Sequence, residues 1–343
     1  MTRLDKSDFG NFIRELTGKY NVYAPGKRGD VTVFVPVGPG DEIVQDCLVT
    51  VMSPKNVFFP QSEVLFEYED GDILTSPESS RPMAVWGMRG CDVRSLHLLD
   101  RVMGDAIQMP GDKRFQDPYW KERFDSSIIF STACNEPLST CFCNWFGGGP
   151  HDGTGADVSV IDIGDAWLME PVSEKGTELI TGLTCTTDAK DDELARASEL
   201  ASLAESLMTQ PDSVEGLDTH LTDVFDGPVW EKISAKCVNC GACTFCCPTC
   251  HCFDLQDEGS GGRGKRIRIW DSCMFPIFTA EASGHNPRAL SKDRVRQRIM
   301  HKFSYYPERY GEILCTGCGR CTSVCPVNLD IRDVLRELQE CES

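Results

Sequence analysis

The sequence predicts an α+β chain in three parts. An N-terminal α/β domain spans residues 1–185, a helical linker spans 186–230, and a cysteine-rich domain spans 231–343 with an insertion between two copies of one cysteine run. Three observations predict this. Buried-strand patterns alternate with helical ones through the first half, as strand–turn–helix units do. The stretch Asp191–Met208 is rich in Ala, Leu and Glu, as an exposed helix is. The chain also carries 19 cysteines in 343 residues, and a repeated spacing of them is confined to the last third.

The elements follow in order. Phe9, Phe12, Ile13 and Leu16 recur at helical spacing and predict a helix over about Asp8–Lys19. Val31–Pro36 reads as a strand. Met83–Met88 (MAVWGM) reads as a buried strand that breaks at Arg89-Gly90-Cys91-Asp92, with a helix over Val93–Met103 behind it. Ser127–Thr132 is a second buried strand, ending just before Cys134. Ala156–Ile163 alternates as a strand does and pairs with Trp167–Val172. In the insertion, Gly259–Gly264 reads as a flexible loop and Ala289–Lys302 as a helix.

Composition bounds the function. Disulfide-dense scaffolds are short and secreted. This chain is long, its cysteine count is odd, and its first residues, Met1-Thr2-Arg3-Leu4-Asp5-Lys6, lack the apolar core of a signal peptide. No run of eighteen apolar residues predicts a membrane span. The expectation is a cytoplasmic protein whose reduced thiols hold metal. The formal charge is −19, which disfavours nucleic acid as a partner because phosphate contacts need a cationic face. Between Arg263 and Lys302, however, ten Lys or Arg stand against three acids, a local balance of +7. On charge alone that segment reads as a solvated helix face; the alternative is that it lies against the metal groups or docks a partner, with Arg266, Arg268, Arg294 and Arg296 as its candidate contacts.

The repeat carries the chemistry. Cys237-Val-Asn-Cys240-Gly-Ala-Cys243-Thr-Phe-Cys246-Cys247-Pro248 and Cys315-Thr-Gly-Cys318-Gly-Arg-Cys321-Thr-Ser-Val-Cys325-Pro326 both read C-x2-C-x2-C-x3-C-P, the bacterial ferredoxin run. Three cysteines two residues apart let one loop wrap three corners of an iron–sulfur cube. Gly241 and Gly319 permit the tight turns. In dicluster ferredoxins the fourth cysteine serves the other cluster. The spacing therefore assigns Cys237, Cys240, Cys243 and Cys325 to one [4Fe–4S] cluster, and Cys315, Cys318, Cys321 and Cys247 to a second. Cys246 stands off-register. Structural zinc uses two separated C-x2-C pairs instead. The domain over 231–343 is accordingly expected to be dicluster and bacterial-ferredoxin-like.

A second set is less specific. Cys91 and Cys134 each follow a predicted strand, and Cys141-Phe142-Cys143 lies in the loop beyond. Groups past the carboxyl ends of strands converge in open α/β sheets. Two readings stay open, a third cluster on Cys91, Cys134, Cys141 and Cys143 or four small buried side chains. Cys250-His251-Cys252 and Cys273 form a further set, read as packing around the first run or as metal ligands. Gly259–Lys265 approaches a phosphate-binding loop but lacks the Ser or Thr after the lysine and a strand to feed it.

With these residues in view, the chain resembles the family of iron–sulfur subunits that includes the sulfhydrogenase β subunit and its counterpart in anaerobic sulfite reductase. The resemblance covers almost the whole chain. It rests on Gly87-Met-Arg-Gly-Cys91-Asp92, Cys134, Cys141-Phe-Cys143, Cys247-Pro-Thr-Cys250-His-Cys252, Trp270-Asp271-Ser272-Cys273, Gly284-His-Asn-Pro-Arg288 and Cys315-Thr-Gly-Cys318-Gly-Arg-Cys321. It implies an electron-transfer subunit of a multi-subunit anaerobic oxidoreductase, without a catalytic site of its own. The implied partners are a flavin-containing, NAD(P)H-linked subunit and a catalytic redox subunit of hydrogenase, sulfite reductase or heterodisulfide reductase type. Because the family pattern includes Cys91, Cys134, Cys141 and Cys143, it also favours a third cluster there, of unspecified nuclearity. The competing reading is a reductase in its own right, with flavin or substrate bound in the N-terminal domain. A third reading gives the clusters a purely structural role.

Overall fold

Two strands that are buried along nearly their whole length, Met83–Met88 and Ile128–Thr132, lie side by side and parallel in an eight-stranded sheet. Strands covered on both faces need no polar alternation, which is why both read as unbroken apolar runs. The order across the sheet is Thr187–Asp188, Thr2–Asp5, Ala166–Pro171, Val158–Asp162, Ile128–Thr132, Met83–Met88, Asn21–Arg28 and Val31–Val37. The four strands from Asn21–Arg28 to Val158–Asp162 pair in parallel, and antiparallel neighbours flank them on both sides. The computed structural model describes residues 1–75, 81–104, 107–109 and 113–341.

The chain divides into two units. The first comprises Met1–Phe58, Ser80–Asp212 and Thr316–Cys318; the second comprises Phe59–Ser79, Ser213–Cys315 and Gly319–Ser343. In the first, helix Phe9–Lys19 buries Phe9, Phe12, Ile13 and Leu16, the four residues whose spacing predicts it. Phe12 meets Trp86 edge-on at 5.1 Å and Phe130 at 5.6 Å, and Trp86 meets Trp167 at 5.5 Å. Edge-to-face aromatic pairs add to the area they bury. Replacing Trp86, 3% exposed at the centre of this cluster, with Ala is expected to cost about 3–5 kcal/mol, read as a shift in the denaturant midpoint. A loss below about 1 kcal/mol would mean that the cluster does not set the stability of this unit.

The second unit holds an antiparallel sheet ordered Phe253–Ser260, Arg263–Trp270, Ser62–Glu69 and Asp72–Thr75. The glycine-rich stretch expected as a flexible loop is the turn of this hairpin. Gly261 and Gly262 take the positive φ of a tight reversal, and Gly264 and Gly259 leave no room for a side chain against the opposite strand. Around the sheet lie short helices and one longer helical run. Ser291–Met300 is α-helical, His301–Tyr305 is a π-helical turn, and Tyr306–Tyr310 returns to α. Single π turns inside helices recur at functional sites. Among the described residues no helix is long and apolar enough to cross a membrane.

Candidate metal centre

The two cysteine runs fold as conformational copies. Asn239 and Gly317, at the third position of each, take φ of 55° and 62°. Gly241 and Gly319, at the fifth, take 74° and 73°. Each of the latter opens a one-turn helix, Ala242–Phe245 and Arg320–Ser323. Left-handed backbone at two alternate positions wraps the chain around whatever the cysteines hold. A Cβ on Gly241 would lie 2.8 Å from the Phe275 ring, so glycine is required there for space as well.

One cavity of the second unit is lined by Cys237, Cys240 and Cys243 of the first run and by Cys321 and Cys325 of the second. The sequence-derived set Cys237, Cys240, Cys243 and Cys325 is therefore gathered at one place. Backbone amides point at its sulfurs: Asn239 N–H donates to Cys237 Sγ at 3.4 Å and Leu329 N–H to Cys325 Sγ at 3.2 Å. Amide-to-sulfur bonds of this kind tune a metal-bound thiolate. Among the described residues no three His, Cys, Asp or Glu side chains converge on one point as a single ion would need. Thiolates on one zinc stand about 3.8 Å apart, whereas each cubane thiolate binds its own iron.

The basic segment does not meet the cysteines through the residues expected to do so. Arg266 pairs across the hairpin with Asp257 at 2.8 Å. Arg268 is held by Glu63 and lies 4.7 Å over the Phe59 ring. Arg294 donates to the Arg288 and Ala289 carbonyls, and Arg296 to the Phe225 carbonyl at 2.8 Å. Strand pairing and helix packing thus use up most of the local +7. The cations that reach the cysteines are Arg298 and Lys302, four residues apart on the helical run. Arg298 lines the cavity. As a residue it is partly exposed, yet its Nε and one terminal nitrogen are shielded from solvent and without a partner among the described residues. A buried donor left open calls for an acceptor, and cluster sulfur is one. The residues present therefore fit an iron–sulfur group.

Lys302 is 2% exposed. Its ammonium donates to Thr249 Oγ1 at 2.8 Å, the Leu314 carbonyl at 3.1 Å and Cys247 Sγ at 3.3 Å, which uses all three of its donors. Burial alone would lower its pKa. The neighbouring Cys247, Cys250 and Cys315 reverse this and hold it above the ordinary lysine value. Cys247 in turn is held well below the usual thiol range, first by a hydrogen bond from Cys250 and then, against burial, by Lys302. Burial pushes His301, beside them, down to about 3, so it adds no charge at neutral pH.

The Cys250, Cys252 and Cys273 set lies beside these contacts. Cys250 donates to Cys247, and Cys252 hydrogen-bonds Cys273. Ser272, fully buried, bonds Thr244 at 2.7 Å, and Thr244 bonds the Gly241 carbonyl at 2.7 Å. Trp270 Nε1 donates to the Phe59 carbonyl at 3.1 Å. The Trp-Asp-Ser-Cys stretch thus buttresses the loop of the first run.

In the first unit, four positions of Gly87-Met-Arg-Gly-Cys-Asp have a structural reason. Gly87 takes φ of 85° against Pro25. A Cβ on Gly90 would collide with the Asp152 carbonyl. Arg89, 6% exposed, donates to the carbonyls of Cys47, Leu48, Thr132 and Ala133. Asp92 caps helix Gly90–Met103, which starts three residues before the expected position. Cys91 and Cys134 therefore leave the carboxyl ends of neighbouring parallel strands. The strand order here runs without a reversal, so no crevice arises at a topological switch; the connection 133–157 itself brings Cys134, Cys141 and Cys143 together. Burial, with Cys141 and Cys134 nearby, pushes the Cys143 thiol up to about 12. Phe142 N–H donates to the Gly317 carbonyl at 2.8 Å, and a Cβ on Gly317 would collide with the Phe142 carbonyl. The C-F-C loop is thus hydrogen-bonded to the stretch Thr316–Cys318 of the second run. Cys185, one of the isolated cysteines, is held as a thiol at about 11 by burial and then by Glu15.

Comparison with known proteins agrees with this reading. Residues 236–329 match the family model described as a 4Fe-4S dicluster domain. Over 340 residues, and 98% of each chain, the sequence is 29% identical to the sulfhydrogenase 2 subunit beta of Pyrococcus furiosus. No solved structure matches the chain.

Proposed function

We propose that the protein is an electron-transfer subunit of a multi-subunit oxidoreductase. It relays electrons through two [4Fe–4S] clusters, one on Cys237, Cys240, Cys243 and Cys325 and one on Cys315, Cys318, Cys321 and Cys247. The observation that carries this reading is the cavity lined by Cys237, Cys240 and Cys243 of the first run together with Cys321 and Cys325 of the second, which brings the two runs to one place. Ligands exchanged between runs hold two clusters close together, and close clusters pass electrons. On this reading the residues bind and orient the clusters, donate amide and S–H hydrogen bonds to them, and shield them from water. The clusters supply one-electron storage.

The partners in this reading are a flavin-containing, NAD(P)H-linked subunit on one side and a catalytic redox subunit on the other. The similarity to a subunit of a sulfhydrogenase supports an assembly of that kind. A third cluster on Cys91, Cys134, Cys141 and Cys143 completes the chain of carriers. Its support is that Cys134 and Cys141 lie close enough to Cys143 to act on its thiol.

Anaerobic purification with iron and sulfide counting, and EPR of the reduced protein, tests the reading. About eight irons per chain are expected for two clusters and more than eight with a third. Zinc in place of iron, or flavin bound to the isolated chain, would overturn it. Cys91→Ala and Cys143→Ala are each expected to lower the iron count while the two ferredoxin-type signals persist. An unchanged count in both would remove the third cluster.

A further inference from the structure

We propose that Arg298 and Lys302 are positioning cations that set the potentials of the two clusters unequally, Arg298 acting on both and Lys302 on the one that contains Cys247. The proposal rests on the cluster reading above. It goes beyond it by assigning the tuning to two side chains of one helical run.

The geometry separates the two roles. Arg298 lines the cavity of Cys237, Cys240, Cys243 and Cys325, and its two open nitrogens are buried there. Its guanidinium also lies within the field of Cys321 and Cys247, which with Cys243 offset the cost of its burial. It therefore borders thiolates of both sequence-derived sets. Lys302 has no open donor. Thr249 and the Leu314 carbonyl fix its ammonium 3.3 Å from Cys247, and Cys315 of the same set lies in its field. The two residues stand four apart on the helical run, where each feels the other's charge, and the π-helical turn that begins at His301 places Lys302 at the start of a widened coil.

The physical effect has a fixed sign. An oxidised cubane with four thiolates carries about −2, and one electron from a partner's reduced flavin or cluster takes it to about −3. A buried cation stabilises the more negative state because little water screens it. It therefore raises the midpoint potential, and a neutral replacement lowers it. Buried charges are costly unless paired, so two of them kept beside eight thiolates need a counter-charge of this size.

The test uses the full chain, purified anaerobically, with midpoints read by EPR-monitored redox titration and iron counted in every variant. Arg298→Gln is expected to shift both midpoints negative, and Arg298→Lys to leave both near the parent value. Lys302→Met is expected to shift one midpoint only. Parental midpoints in Arg298→Gln would overturn the role of Arg298, and parental midpoints in Lys302→Met that of Lys302. Equal shifts of both clusters in Lys302→Met would overturn the division between them. Where a neutral variant loses iron, the charge-keeping variant decides: iron retained in Arg298→Lys or Lys302→Arg supports the proposal, and equal loss overturns it. A parent protein without [4Fe–4S] signals would instead sink the underlying reading, before any variant is compared.

Discussion

Alanine at Cys240 and alanine at Cys325 are expected to abolish the same cluster, although the two residues belong to different runs. Each single variant should lose about four irons per chain, and the double variant Cys240→Ala/Cys325→Ala no more than either alone. The double variant Cys240→Ala/Cys247→Ala is expected to lose about eight, because on the exchanged pattern these residues serve different clusters. Iron and sulfide counts with EPR on reduced protein give the answer. The physical ground is the ferredoxin spacing, with Cys325 in the cavity of Cys237, Cys240 and Cys243, where Cys321 also stands, and Cys247 against Lys302. If Cys240→Ala/Cys247→Ala loses only about four irons, each run closes its own cluster and the exchange is wrong.

Extracting the iron is expected to unfold the second unit locally instead of leaving an empty but ordered site. A metal bound only by the folded chain contributes its binding free energy to folding, of the order of 10 kcal/mol for structural zinc. Here the clusters would cross-link Cys237–Cys247 to Cys315–Cys325 and hold four left-handed residues in place. Without them, buried Lys302 and the open nitrogens of Arg298 lose much of the negative charge around them. Hydrogen exchange of the iron-free chain should show protection lost across 237–247 and 291–325. Replacing Lys302 with Met should restore part of it, since an apolar residue tolerates burial better than a charge whose surroundings have changed. Protection equal to that of the iron-loaded protein in both would show that packing alone orders this unit.

Much of this was legible in the residues. The four apolar positions of Phe9–Lys19 and the unbroken strands at 83–88 and 128–132 follow from burial on one side or both, a property that a linear pattern records. The ferredoxin spacing encodes its own loop geometry, so Cys237, Cys240, Cys243 and Cys325 could be grouped in advance, although Cys321, grouped with the second set, lines the same cavity. What a linear pattern does not record is pairing at long range. The strand Ser62–Glu69 joins the hairpin 253–270, and that union consumes Arg268 through Glu63. A count of local charge cannot foresee such neutralisation, which is why the +7 did not separate Arg266 and Arg268, paired within the sheet, from Arg298 at the cavity. Arg298 and Lys302 had only one signal, two cations four apart on a helix between cysteine runs. In Cys250, sulfur bonds sulfur, a contact that no residue-type periodicity announces.

The matched backbone of the two runs has a consequence for how a duplicated loop can diverge. At the third position the first copy accepts a side chain, and Asn239 uses it to reach Ser291 at 2.9 Å and so anchor its loop to a helix. The second copy, held against the Phe142 carbonyl, must stay bare at Gly317. The halves of the repeat are therefore equal in shape and unequal in mutational freedom. One loop could acquire an anchor of its own, while the other became the fixed template against which a neighbouring loop was moulded.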